Sequence, residues 1–257
     1  MAKIIAVANQ KGGVGKTTTA VNLSSCLGVR KKKVLLIDAD PQGNATAGVG
    51  VEVNENTLSS YDLIVSDSKL SDIVIKTEYE NLDVCPGSIA LAGAEVEIVN
   101  EDRREYLLKK KVEEVRNNYD YIVIDCPPSL GLITLNCLCA ADSVLIPIQC
   151  EYYALEGLSQ LTRTIKTIKQ HLNKSLKIEG VLLTMFDSRT KLSGQVAEEV
   201  KKYFGATVFE SVVPRNVRLS EAPSYGQPII YFDKSSKGAK CYKKLALEVI
   251  KRNEQKG

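Results

Sequence analysis

The stretch Lys11-Gly12-Gly13-Val14-Gly15-Lys16-Thr17-Thr18 holds the residue types and spacing with the most chemistry to offer. Glycines let successive backbone N–H groups turn toward one point, and Gly12, Gly13 and Gly15, with Val14 between them, make a cradle suited to phosphate oxygens. A helix opening directly after the loop adds the partial positive charge of its N-terminus. Lys16 would then reach the β- and γ-phosphates. The Thr17 hydroxyl would ligate Mg²⁺, and Thr18 would touch the α-phosphate. The common form of such a loop is G-x-x-x-x-G-K-[ST], whose first glycine would fall on Gln10. Lys11 stands at the loop entrance instead, so two lysines share one loop. A glycine-rich turn without a ligand is the alternative, and the strand–loop–helix context argues against it.

Two acidic motifs end strands elsewhere. One is Asp38-Ala39-Asp40-Pro41-Gln42-Gly43-Asn44, and the other is Asp125 at the end of Tyr121–Asp125, followed by Cys126-Pro127-Pro128. Ligands of open parallel sheets sit at the carboxyl ends of strands. Asp125 therefore reads as a Mg²⁺ carboxylate acting through water; its bland alternative is a helix N-cap. Asp40 is the candidate for orienting an attacking water, and Asp38 for supporting the metal shell. One of the two could equally be a turn former before Pro41.

The elements that must position these groups follow from periodicity. Strands are predicted at Lys3–Ala8, Lys33–Asp38, Asn81–Pro86, Tyr121–Asp125, Ser143–Ile148 and Lys177–Thr184. Helices are predicted from Lys16 to about Gly28, about Arg103–Asn117, near Leu132–Ala140, and from Ala154 to about His171. Strands apolar on both faces, alternating with helices, predict an α/β fold with a mostly parallel, twisted sheet covered on both faces and joined by right-handed crossovers. No repeat or linker interrupts residues 1–257, which predicts one domain.

Composition sets the outer bounds. With 257 residues, 44% apolar and 25% charged, the chain has globular composition. No apolar run approaches the roughly 18 residues of a spanning helix, and the N-terminus is too short in apolar residues for a secretory signal. Seven cysteines, irregularly spaced, suit a reducing cytoplasm. A cluster-binding reading of Cys137-Leu-Cys139 has the wrong spacing, and one histidine, His171, makes no metal site. Net charge is only +3, but it is unevenly spread: residues 1–150 carry −5 and residues 151–257 carry +8. That asymmetry permits a surface facing a polyanion. Lys234, Lys237 and Lys240 lie in the flexible-looking DKSSKGAK stretch, suited to reach phosphates.

The loop, the DADPQGN motif and the stretch Val213-Pro214-Arg215-Asn216-Val217-Arg218-Leu219-Ser220-Glu221-Ala222-Pro223-Ser224 together resemble the ParA/Soj-type partitioning ATPases of the deviant Walker A class. The resemblance runs nearly the whole chain and is to the short forms without an N-terminal helix-turn-helix extension. It implies a P-loop NTPase-like fold that uses ATP and Mg²⁺. It also implies an ATP-bound homodimer that binds DNA non-specifically, and slow hydrolysis stimulated by a ParB-type centromere-binding partner. The expected place of work is the cytoplasm, on the nucleoid. In the resembled class Lys11 reaches the partner subunit's nucleotide and stabilises charge on the transferring phosphoryl group. Gly12 and Gly13 are then small because two backbones meet there. Pro214 and Asn216 fall at adenine-contacting positions, and Arg189 and Arg218 at positions implicated in DNA contact. MinD-like membrane ATPases share the loop and end in an amphipathic helix. The apolar stripe Tyr242, Leu245, Ala246, Val249 and Ile250 is expected instead to dock on the protein's own sheet.

Overall fold

The computed structural model describes residues 1–151 and 154–254, less the side chains of 154–157 and 160. Its strands are β1 (Lys3–Val7), β2 (Val34–Asp38), β3 (Ile75–Lys76), β4 (Leu82–Cys85), β5 (Tyr121–Asp125), β6 (Ser143–Gln149), β7 (Lys177–Phe186) and β8 (Val208–Pro214). They form one sheet in the order β3-β4-β2-β5-β1-β6-β7-β8, parallel throughout except where β3 runs against β4. The longer helices are α1 (Lys16–Gly28), α2 (Leu107–Val115), α3 (Leu132–Ala140), α4 (Ala154–His171), α5 (Lys191–Phe204) and α6 (Lys237–Glu254).

Each face of the sheet is buried for a reason legible in β1 itself. Ile4 and Ala6 point into one apolar cluster, with Leu108 and Val112 of α2, Leu138 of α3, Leu161 of α4 and Val200 of α5. Ile5 and Val7 point into the other, with Leu23 and Leu27 of α1 and Tyr242, Leu245 and Val249 of α6. Period-two alternation on a strand with two apolar faces demands helices on both sides.

The strand order also positions the motifs. From β1 the chain crosses to β2, two places away, and β5 later inserts between them. Val7 and Asp38 are both register partners of Asp125. The loop after β1 and the two acidic strand ends therefore meet at one carboxyl edge, where the strand succession reverses direction. Such a switch point is where doubly wound sheets bind ligands.

The terminal helix begins at Lys237, earlier than its apolar stripe alone suggests, and docks on the sheet. Glu248 accepts the edge N–H groups of Glu210 and Ser211 at 2.8 and 2.9 Å. Arg252 donates to the carbonyls of Glu179, Ala206, Thr207 and Val208 and lies 4.2 Å over the Phe209 ring. The face that a membrane would need is thus inside the protein. Among the described residues no helix is long and apolar enough to cross a membrane. The DKSSKGAK stretch is corrected in the same place: it is not a flexible loop. Asp233 accepts from the Ser235 and Ser236 N–H groups at 3.1 Å each, and the Ser236 hydroxyl accepts from Ala239 N–H at 3.1 Å, capping α6. Lys237 and Lys240 stand on the first turns of that helix. The seven cysteines form no disulfide, and six of them are buried, as small apolar side chains would be.

Candidate nucleotide site

Gly13 (φ 72°) and Gly15 (φ 87°) adopt left-handed backbone conformations that a side chain would strain, and Gly15 caps α1. Lys16 opens that helix, is buried, and donates from Nζ to the Lys11 carbonyl at 3.2 Å. Burial lowers its pKa, against the pull of Asp125, Cys126 and Asp40. Val14 is anchored from β7: the Thr184 hydroxyl donates to its carbonyl at 2.8 Å.

Asp125 is the electrostatic anomaly of the molecule. It is wholly buried, and neither carboxylate oxygen has a hydrogen-bond partner. Burial pushes its pKa well up and Asp38 pushes it further; Thr17, beside it, works in the opposite direction without a well-formed bond. It is not the N-cap of α3, which is Gly131. A buried carboxylate without a partner is costly, and a divalent cation held with Thr17 would supply the partner. Among the described residues no three carboxylate, histidine or cysteine side chains converge into a closed metal cage.

Asp38 is held differently from the metal-shell expectation. Its Oδ2 accepts from the N–H and hydroxyl of Thr46 at 2.8 and 2.7 Å, and its Oδ1 from the Asp40 N–H at 3.2 Å. Asp40, also buried, accepts from the Gln42 N–H at 3.0 Å. The two aspartates thus form one hydrogen-bonded turn at the strand end.

A crevice of about 860 Å³ runs from Gly15, Thr17 and Thr18 to Pro214 and Asn216, walled by Val21, Met185, Leu219 and Tyr242. That is the size of a small-molecule site. Asn216 caps the helix Val217–Glu221 through its Oδ1, which accepts the Leu219 N–H at 3.3 Å. Met185 and Gln227 also line the crevice, and no sequence motif points to either. Met185 takes φ 50°, a conformation that no residue pattern announces.

Two expected residues face outward. Lys11 pairs with Glu151 at 3.0 Å, with side chains 38% and 45% exposed, a contact of little energy that releases the lysine readily. A Cβ at Gly12 would meet nothing within 4 Å. Gly12 also has no positive φ, so its own protomer gives no reason for its smallness.

The candidate polyanion contacts lie apart from the crevice floor. Arg189 is exposed but forks onto Asp187 at 2.9 and 2.7 Å, which holds that carboxyl well below the usual range. Arg218 reaches Glu221 at 2.9 Å and Asp233 at 3.5 Å and lies over Phe232. Lys234, Lys237 and Lys240 are exposed.

Comparison with known proteins agrees with this geometry. A family model described as an AAA domain matches residues 2–178. The sporulation initiation inhibitor protein Soj of Bacillus subtilis is 61% identical over 97% of this chain and 98% of its own. The chromosome-partitioning ATPase Soj of Treponema pallidum is 49% identical over 100% of both. A crystal structure named cobyrinic acid a,c-diamide synthase, from Mycobacterium smegmatis with bound ADP and magnesium, superposes with a TM-score of 0.87. It shares 35% identity over 100% of this chain and 97% of that one.

Proposed function

This chain belongs to the ParA/Soj family of partitioning ATPases, and from that membership we propose that it is a nucleotide-gated DNA-partitioning switch. It hydrolyses ATP to ADP and phosphate with Mg²⁺. Residues 1–257 act as one ATPase domain. The observation that carries this reading is the unpartnered, buried carboxylate of Asp125, next to Thr17, which itself lines a crevice sized for a nucleotide.

In the mechanism, the N–H groups of Gly12, Gly13, Val14 and Gly15 and the α1 N-terminus hold the phosphates, with Thr18 at the α-phosphate. Lys16 neutralises the β- and γ-phosphates. Thr17 and Asp125 would hold the Mg²⁺, which would draw charge off the phosphate oxygens. Asp38 acts from behind, through the turn it shares with Asp40. Asp40 orients the attacking water. Pro214 and Asn216 contact the adenine. Lys11 leaves Glu151 and enters the partner subunit's site, and because a two-fold interface is reciprocal each protomer completes the other.

The ATP-bound dimer binds DNA without sequence preference through Arg189, Arg218, Lys234, Lys237 and Lys240. A ParB-type protein speeds hydrolysis and ends the cycle, on the nucleoid. Phosphate release tests the reading. It should need Mg²⁺, vanish in Asp125→Ala, and rise when DNA and a ParB-type partner are added together. Turnover in EDTA, or full turnover in Asp125→Ala, would contradict it.

A further inference from the structure

We propose that Thr46 is a positioning residue for hydrolysis, fixing the Asp38–Asp40 turn so that Asp40 aims the water. This rests on the reading of Asp40 given above. Thr46 lies in the four-residue helix Asn44–Ala47 and is buried. Its backbone N–H and its hydroxyl both donate to Asp38 Oδ2, at 2.8 and 2.7 Å. The same hydroxyl accepts the N–H of Gly87 at 2.8 Å. Gly87 follows β4, two places along the sheet from β5. A Cβ there would stand 2.8 Å from the Asp38 Cγ, so only glycine lets that loop close on the carboxylate. The other Asp38 oxygen accepts the Asp40 N–H at 3.2 Å.

The result is a continuous chain: Gly87 N–H to Thr46 hydroxyl, Thr46 to Asp38, and Asp38 to the backbone of Asp40. Every donor in it is matched. The β2 end has another tether, the Ser60 hydroxyl on the Asp38 carbonyl at 2.6 Å. That tether holds the main chain but leaves the carboxylate free to rotate. What Thr46 adds is the carboxylate's direction. Removing the hydroxyl strips Asp38 of one donor and leaves the buried Gly87 N–H without its acceptor. The Asp38 carboxylate would then be free to turn, and would draw the Asp40 N–H with it. None of the hydrogen bonds in this chain runs to Lys11–Thr18, so the effect falls on the chemical step. Supporting groups of this kind hold reacting groups to a fraction of an ångström.

The test compares Thr46→Val, Thr46→Ser and Asp40→Ala. Steady-state phosphate release with Mg²⁺ gives kcat and KM. Calorimetry with a slowly hydrolysed ATP analogue gives affinity. In Thr46→Val, which keeps the side-chain shape, kcat should fall roughly tenfold or more, while KM and analogue affinity stay within about threefold. Thr46→Ser, which keeps the hydroxyl, should recover to within about threefold of the parent. Normal kcat in Thr46→Val overturns the inference. So does a serine variant as slow as the valine one, which would assign the effect to the methyl group. Loss of analogue affinity in step with kcat also overturns it, since Thr46 would then only hold the fold. Normal hydrolysis in Asp40→Ala defeats the reading of Asp40 itself, and the inference with it. A stalled Asp40→Ala beside a normal Thr46→Val defeats the inference alone.

Discussion

The nucleotide crevice and the basic surface of residues 151–254 handle charge in opposite ways. Around the phosphate loop, Lys16, Asp38, Asp40 and Asp125 are buried, and the carboxylate of Asp125 has no partner. On the surface, Arg189 and Arg218 are exposed and already paired, with Asp187 and with Glu221 and Asp233. Buried charges without matching partners store an affinity that a ligand of the right charge releases in full. Exposed, self-paired cations offer little each, because water and their own carboxylates compete. One region is therefore built to bind tightly as a single unit. The other needs numbers, and the dimer proposed above would double its contacts on one rigid body.

Several substitutions break or sharpen that contrast. Lys16→Ala should have the largest effect. It removes one partner of a buried charge cluster, a loss of roughly 3–5 kcal/mol, so ATP affinity in calorimetry should fall at least about a hundredfold. Unchanged affinity would remove Lys16 from the site. Gly12→Val comes next. Its Cβ has open space in one protomer, so ATP affinity should stay within about threefold while dimerisation is lost to a clash between two loops. Dimers of this variant in analytical ultracentrifugation would show that the loops do not meet. Arg218→Glu should be mildest. It should keep ATP binding and dimerisation yet weaken DNA, flattening the slope of log affinity against log salt by roughly 0.9 per protomer. An unaltered slope would place the DNA surface elsewhere.

The same contrast explains what the sequence made legible. Lys11–Thr18, Asp38, Asp40 and Asp125 were readable because their chemistry is local: a loop, and carboxylates at the ends of apolar runs. The sheet was readable too, since β1, β2, β5 and β6 are apolar on both faces. β8 and α5 do not stand out in the sequence, because VFESVVP alternates only in part and α5 carries a diluted apolar stripe. Thr46 and Gly87 were invisible for another reason. They meet Asp38 from different loops, 8 and 49 residues along the chain, and no periodicity encodes that meeting. Around the lysines of 234–240, Ser, Gly and Lys suggest a loose loop, whereas Asp233 and Ser236 start a helix there.

ATP, and not ADP, is expected to bring two protomers together so that Lys11 of one completes the site of the other. Size-exclusion chromatography with light scattering tests it most directly, on the full chain with Mg²⁺ and either ADP, ATP or a slowly hydrolysed analogue. The account predicts the mass of one chain, 28.2 kDa, with ADP and twice that mass with the analogue. The same mass with both nucleotides would contradict it.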